Sequence, residues 1–130
     1  MKLCLIVNKG EEALSFDIEG EAISIGRSKE NDIHIQDKYV SRKHLVLWKK
    51  GNRVFLKNLA NRNGAKVAGH RVPSGATVEV KQGDAVKIGM SVFCFGQGNT
   101  GDMFAFLNSL YFSKERAGGE TTTLFESTLS

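Results

Sequence analysis

Proline is almost missing from this sequence: one residue of 130, Pro73, against 14 glycines. The turns must therefore be made with glycine and its polar neighbours. Cysteine is scarce as well. Cys4 and Cys94 sit inside apolar runs and lack metal-ligand spacing. Buried, reduced thiols are expected there, with a disulfide the lesser reading. Trp48 is the sole tryptophan, so no stacking series for nucleic-acid bases is evident. No apolar stretch approaches the roughly 18 residues a membrane span needs. The opening MKLCLIVNKGEEAL has a short apolar run but no small-residue cleavage site, and charges follow at once. A signal peptide is not expected, and the expected setting is cytoplasmic. Internal repeats and low-complexity tracts are also missing.

What remains is an ordinary balance for a globular chain, 41% hydrophobic and 25% charged, at a length that suits one domain with an appendage. The net charge of +4 is unevenly placed. Residues 1–96 hold 16 Lys/Arg against 10 Asp/Glu, whereas residues 97–130 hold 2 against 4. The body should attract an anionic partner, and the tail is mildly anionic.

The body reads as short strands. KLCLIV, ALSFDI, AISIG, DIHI, HLVLWKK, RVFLKNL, AKVAG, TVEV, AVKIG and VFCFG mix β-branched, aromatic and polar residues in runs of four to eight. Leu14, Phe16 and Ile18 alternate with Ser15, Asp17 and Glu19, and Val78 and Val80 with Thr77 and Glu79. Turn signals such as NKG, KKGN, NRNG, PSG and QGD separate the runs. This spacing predicts an all-β sandwich or barrel. After Gly96 the character changes. GQGNTGD reads as a linker, and residues 102–116 read as a helix. Thr100 or Asp102 suits its N-cap, Lys114 and Arg116 its last turn, and Gly118 its C-terminal cap. Met103, Phe104, Phe106, Leu107, Leu110 and Tyr111 form a broad apolar face. Such a helix docks on the sandwich or on another copy of the chain.

Residues 26–44, GRSKENDIHIQDKYVSRKH, carry the densest candidate chemistry. Gly26 permits a tight turn or a close approach. Arg27 offers a planar fork for two oxyanion oxygens. Ser41 adds a hydroxyl donor and Arg42 a second cation. Asn63–Gly64 is a turn pair whose amide suits an extended peptide backbone. Ser41 and His44 lie three apart, but no nucleophile elbow and no carboxylate orienter accompanies them, so no enzyme is expected. His34, His44 and His70 are scattered, and Asp37 makes no coordination pattern with them. No metal or other cofactor is expected.

Taken in order and spacing, GR at 26–27, NDI at 31–33, VSRKH at 40–44, NRNG at 61–64 and QGDAVKIG at 82–89 resemble the forkhead-associated (FHA) domain. The resemblance covers roughly residues 3–96. It implies an eleven-stranded FHA-type β-sandwich over residues 1–96, followed by a linker and helix over 97–117 and a flexible Thr-rich tail over 118–130. It implies a phosphothreonine-peptide-binding signalling module whose loops at one end read the ligand. Arg27 and Ser41 would bind phosphate, and Asn63 would hold the ligand backbone. Arg42 would add a contact. Gly26, His44 and Gly64 would support the site from within. Where such domains frequently have S-T-N-G, this chain has Asn61 and Arg62 before Asn63–Gly64, so a hydroxyl is replaced and Arg62 enters as a candidate cation. Phosphothreonine carries about −1.5 to −2 charge. Charge-assisted hydrogen bonds of about 1.5–3 kcal/mol each make micromolar affinity, about −8 kcal/mol, reachable.

The ending GGETTTLFESTLS then acquires a meaning. ETTTLF resembles the acidic-Thr-Thr segment that a Ser/Thr kinase modifies in some small bacterial FHA regulators, where it precedes the domain instead of following it. FHA domains commonly discriminate at the third residue after phosphothreonine. That residue is Leu124 from Thr121 and Phe125 from Thr122, which makes these two the candidate phosphoacceptors. Self-recognition within one chain or between chains is the first expectation. The alternative is a constitutive scaffold that recruits a phosphorylated kinase or partner. A basic nucleic-acid-binding domain ranks below both. Expected partners are a phosphothreonine protein or the chain's own tail and a Ser/Thr kinase, with no nucleic acid and no membrane. A homo-oligomer through helix 102–116 or tail exchange is also open.

Overall fold

The computed structural model describes residues 1–18, 22–60 and 63–119, with side chains through Leu110. Eleven strands and one helix follow in chain order: β1 Lys2–Val7, β2 Glu12–Asp17, β3 Ala22–Gly26, β4 Ile33–His34, β5 Leu45–Lys50, β6 Arg53–Asn58, β7 Ala65–Val67, β8 His70–Val72, β9 Thr77–Val80, β10 Val86–Ile88, β11 Ser91–Gly96 and α1 Thr100–Gly119. The strands form two sheets, one ordered β2-β1-β11-β10-β7-β8 and the other β4-β3-β5-β6-β9. The expected all-β sandwich with a C-terminal helix is the fold observed.

Alternation places the core. Leu3, Leu5 and Val7 of β1 and Phe93 and Phe95 of β11 face Ile23 and Ile25 of β3, Leu45 and Leu47 of β5 and Val54 and Leu56 of β6. Their opposite phases differ between the sheets. On the five-stranded sheet the outward residues meet solvent, and Trp48 stacks on Phe55 at 5.9 Å between ring centroids. On the six-stranded sheet the outward residues Cys4, Ile6, Val92 and Cys94 are buried a second time, beneath Leu107, Met103 and Phe104 of α1. That second layer is why β1 and β11 read as unbroken apolar runs. α1 thus docks on its own sandwich, over β1 and β11. Both cysteines are free and buried.

Three expectations need correction. The helix starts at Thr100 and is capped by Asn99, whose Oδ1 accepts from the Asp102 N–H at 3.2 Å. Neither Thr100 nor Asp102 is the cap; Asp102 occupies the first turn, where its charge suits the helix dipole. Second, Gly118 does not end the helix, which continues through Gly119. Third, ten runs were legible as strands, and β8 was not among them. It pairs with β7 across a two-residue turn, Ala68–Gly69, with φ of 50° and 84°. Alanine at a left-handed position is an uncommon hairpin signal. The tail beyond Gly119, with Thr121 and Thr122, lies outside the described residues, as do Asn61 and Arg62.

Candidate functional site

The segments joining β3 to β4, β4 to β5 and β6 to β7 meet at one end of the sandwich. Between them lies an open cleft of about 440 Å³, lined by Arg27, Lys38, Ser41, Arg42, Lys43 and Asn63 with neighbouring apolar residues. Among the described residues four of the lining side chains are cationic and none is acidic. Such a cleft raises the local concentration of anions.

Each wall is held by identifiable bonds. Gly26 closes β3 where the chain after Ser41 passes against it. A Cβ there would fall on the Arg42 carbonyl and lie 2.8 Å from Asn31 Nδ2. The close approach that requires glycine is thus made by the protein's own backbone. That Arg42 carbonyl accepts from Asn31 Nδ2 at 2.6 Å and from the Ser28 N–H at 3.2 Å. Arg27 donates its backbone N–H to the Ser41 carbonyl and its Nε to the Val40 carbonyl, both at 2.9 Å. Among the described residues the Nη groups of Arg27 and the hydroxyl of Ser41 have no hydrogen-bond partner. The guanidinium is therefore fixed by one edge and open at the other.

His44 joins the second wall to the third. It is fully buried. The Ser41 N–H donates to Nδ1 at 3.0 Å, and Nε2 lies 2.8 Å from the Gly64 carbonyl. An acceptor at Nδ1 requires the proton on Nε2, so the ring is the neutral Nε2–H tautomer. Burial holds its pKa below the ordinary value, against the opposing pull of the Gly64 carbonyl and the Asp37 charge. Asn63 takes a left-handed φ of 52° beside the cleft. Gly64 meets no close atom at its missing Cβ, so its carbonyl, not its lack of a side chain, is what the site uses.

Two residues at this end were not singled out from sequence as site supports. Asp37 is buried and accepts from the Tyr39 N–H at 2.9 Å, the Met90 N–H at 2.7 Å and the Ser91 hydroxyl at 2.7 Å. It ties the loop that carries Ser41 to the β10–β11 turn. Gly89 must be small there, since a Cβ would lie 2.9 Å from the carboxylate. Asn58 is buried too, donating to the Val72 carbonyl and accepting from the Ala60 N–H. It holds Ala60, which lines the cleft. Asn58 did carry a signal: it falls on the inward phase of β6 with Val54 and Leu56. A buried amide at a core position needs partners. Among the described residues no three His, Cys, Asp or Glu side chains gather to hold a metal.

The model of the FHA domain family matches residues 23–89, just over half of the chain. The chain belongs to the FHA domain family. The match spans Gly26, Arg27, Ser41, His44 and Asn63–Gly64, and it ends at Gly89 beneath Asp37. Solved FHA structures agree in fold. One from a study of phosphothreonine-dependent FHA domain interactions is 22% identical, covers 76% of this chain and 99% of its own, and superposes with a TM-score of 0.63. The FHA domain of the CT664 protein from Chlamydia trachomatis is 19% identical, with coverage of 76% and 100% and a TM-score of 0.62. EmbR from Mycobacterium tuberculosis, solved with a low-affinity phosphopeptide, is 25% identical over 75% of this chain and 26% of its own length, with a TM-score of 0.61. No match was found among curated protein sequences.

Proposed function

We propose that this FHA domain is a non-enzymatic phosphothreonine-peptide-binding module, and that its own ETTTLF segment becomes a ligand when a Ser/Thr kinase modifies Thr121 or Thr122. The observation that carries the reading is the Arg27 guanidinium. It is anchored through Nε to the Val40 carbonyl and opens its other edge into a cationic cleft beside the Ser41 hydroxyl. A dianionic phosphate with three acceptor oxygens suits that edge, that hydroxyl and the Arg42 and Lys43 charges. In this reading Asn63, which lines the same cleft, holds the peptide backbone. Arg62 serves as an added cation in this reading. Two relatives named for phosphothreonine dependence or a bound phosphopeptide support it. A cytoplasmic setting accords with two free cysteines.

The test is a titration of the full chain with a labelled peptide of residues 118–130, with and without phosphate on Thr122. Micromolar binding of the phosphorylated peptide alone is expected. Arg27→Ala should remove it while the circular dichroism spectrum and melting temperature stay those of the parent. Undiminished binding by a folded Arg27→Ala protein overturns the assignment.

A further inference from the structure

A second concavity, of about 520 Å³, lies on the outer face of the six-stranded sheet, beside α1. Among the described residues none lines both it and the cationic cleft. Its apolar part is made by Val92, Leu107, Phe106 and Leu110. Phe106 is 43% exposed and Leu110 36%, one helical turn apart on α1. Lone exposed apolar residues are ordinary, but two adjoining a groove form a surface.

The rim is cationic. Lys66 of β7 and Lys87 of β10 are cross-strand partners in register and both line the groove. Lys9 brings a third ammonium group, from a backbone with φ of 61° directly after Asn8 at 53°. Ala68, also on the rim, has φ of 50°. Left-handed non-glycine residues are uncommon and store strain. Asp84 is the one acid among the described lining residues. The groove therefore suits an apolar segment that carries negative charge.

We propose that its occupant is the chain's own segment 120–130. Leu124 and Phe125 would lie along Phe106 and Leu110, with Glu120 and Glu126 toward Lys9, Lys66 and Lys87. The segment has the matching chemistry: two large apolar residues in tandem, flanked by carboxylates and no cation. Its reach also fits. Leu110 precedes Gly119 by nine residues, about 14 Å of helix at about 1.5 Å per residue. Leu124 follows Gly119 by five, about 17 Å when extended at about 3.3 Å per residue. A chain turning back after Gly119 thus brings Leu124 level with Leu110. Such a short tether supplies an effective concentration of about a millimolar, so even weak intrinsic affinity keeps the groove filled. This docking stands independently of the phosphothreonine reading, because it needs neither phosphate nor Arg27.

The test is paramagnetic broadening in the full, unphosphorylated chain, with a nitroxide attached to Ser127→Cys. Cys4 and Cys94 are buried and are left unlabelled. Amide signals of Ala68, Ala85 and Lys87 should lose most of their intensity, and Leu124→Asp with Phe125→Asp should restore them. The melting temperature of that variant should stay close to that of the parent, which separates loss of docking from loss of fold. A mixture of nitroxide-bearing chain with isotope-labelled chain lacking the nitroxide should show no broadening. Broadening in that mixture would make a second copy the occupant and overturn the proposal, as would intact groove signals in the singly labelled chain.

Discussion

His44 works with one nitrogen accepting and the other donating, and a second proton would set Nδ1–H against the Ser41 N–H. The unfolded chain's imidazole titrates near 6.5, and burial depresses the folded value. On acidification the unfolded state therefore takes its proton first. The stability from neutral His44 is complete above about pH 6.5 and is lost as pH falls toward the folded pKa. The melting temperature should drop as the pH falls below about 6.5. His44→Asn should lower it at every pH and flatten that slope; an unchanged slope would assign the loss to another group. Asp37 offers a second test at this scale. Asp37→Ala would leave the Met90 and Tyr39 N–H groups without their acceptor, and unmade buried bonds cost about 1–3 kcal/mol each. Denaturant unfolding should show a loss of about 3 kcal/mol. Phosphopeptide affinity should fall too, because Asp37 anchors the loop leading to Val40 and Ser41. Stability close to that of the parent would remove Asp37 from that role.

Among the elements, α1 carries the clearest consequence. Leu107 is fully buried and seals Cys4 and Cys94 beneath the helix. Burial raises both thiols, Cys94 to about 11, so neither supplies much thiolate at neutral pH. Burying a leucine contributes about 1.5–3 kcal/mol, and a carboxylate in its place adds a desolvation penalty. Leu107→Asp should peel α1 from the sheet. Alkylation of Cys4 and Cys94 by iodoacetamide should then accelerate by about tenfold or more. Thiols as slow to react as in the parent would mean that the cover over β1 and β11 is not α1. The β7–β8 hairpin turns on Ala68 in a left-handed conformation; its Ala65, Val67 and Val72 pack into the core, while Lys66, Ala68 and Gly69 line the groove.

At the scale of the molecule, both proposals give the same acidic tail two cationic destinations, the cleft at one end and the groove on one sheet face. In the proposed switch, phosphate moves the preference of that tail toward the cleft. A tethered ligand at about millimolar effective concentration outcompetes free peptide of micromolar affinity. Full-length protein phosphorylated on the tail should therefore bind external phosphothreonine peptide about tenfold more weakly, or worse, than unmodified protein. Thr121→Ala with Thr122→Ala should abolish the difference. If phosphate is instead captured between molecules, concentration-dependent oligomers should form and vanish with Arg27→Ala. Equal affinity before and after phosphorylation, without oligomers, would leave the tail out of the switch.

The strand runs, the helix face and the candidate site residues Arg27, Ser41, Arg42 and Asn63 were legible in the sequence, because alternation, helical spacing and turn chemistry are local properties. ALSFDI and TVEV alternate since one of their faces meets less protein than the other. Other features depended on where distant segments come to rest. β1 and β11 lost their alternation because a helix a hundred residues after β1 covers their outer face, and β8 hid behind a turn made with Ala68. Asp37 has no local pattern; its partners Met90 and Ser91 are 53 and 54 residues away. Gly26 could be read as a flexible turn, yet only the packed chain shows the Arg42 carbonyl occupying the space of its missing side chain. His44 was recognisable as a support through its family resemblance, but its tautomer follows from two backbone groups that meet only when Ser41 and Gly64 are brought to opposite sides of one ring. Hydrogen bonds reach about 3 Å, so which groups satisfy a buried polar side chain is decided by the fold.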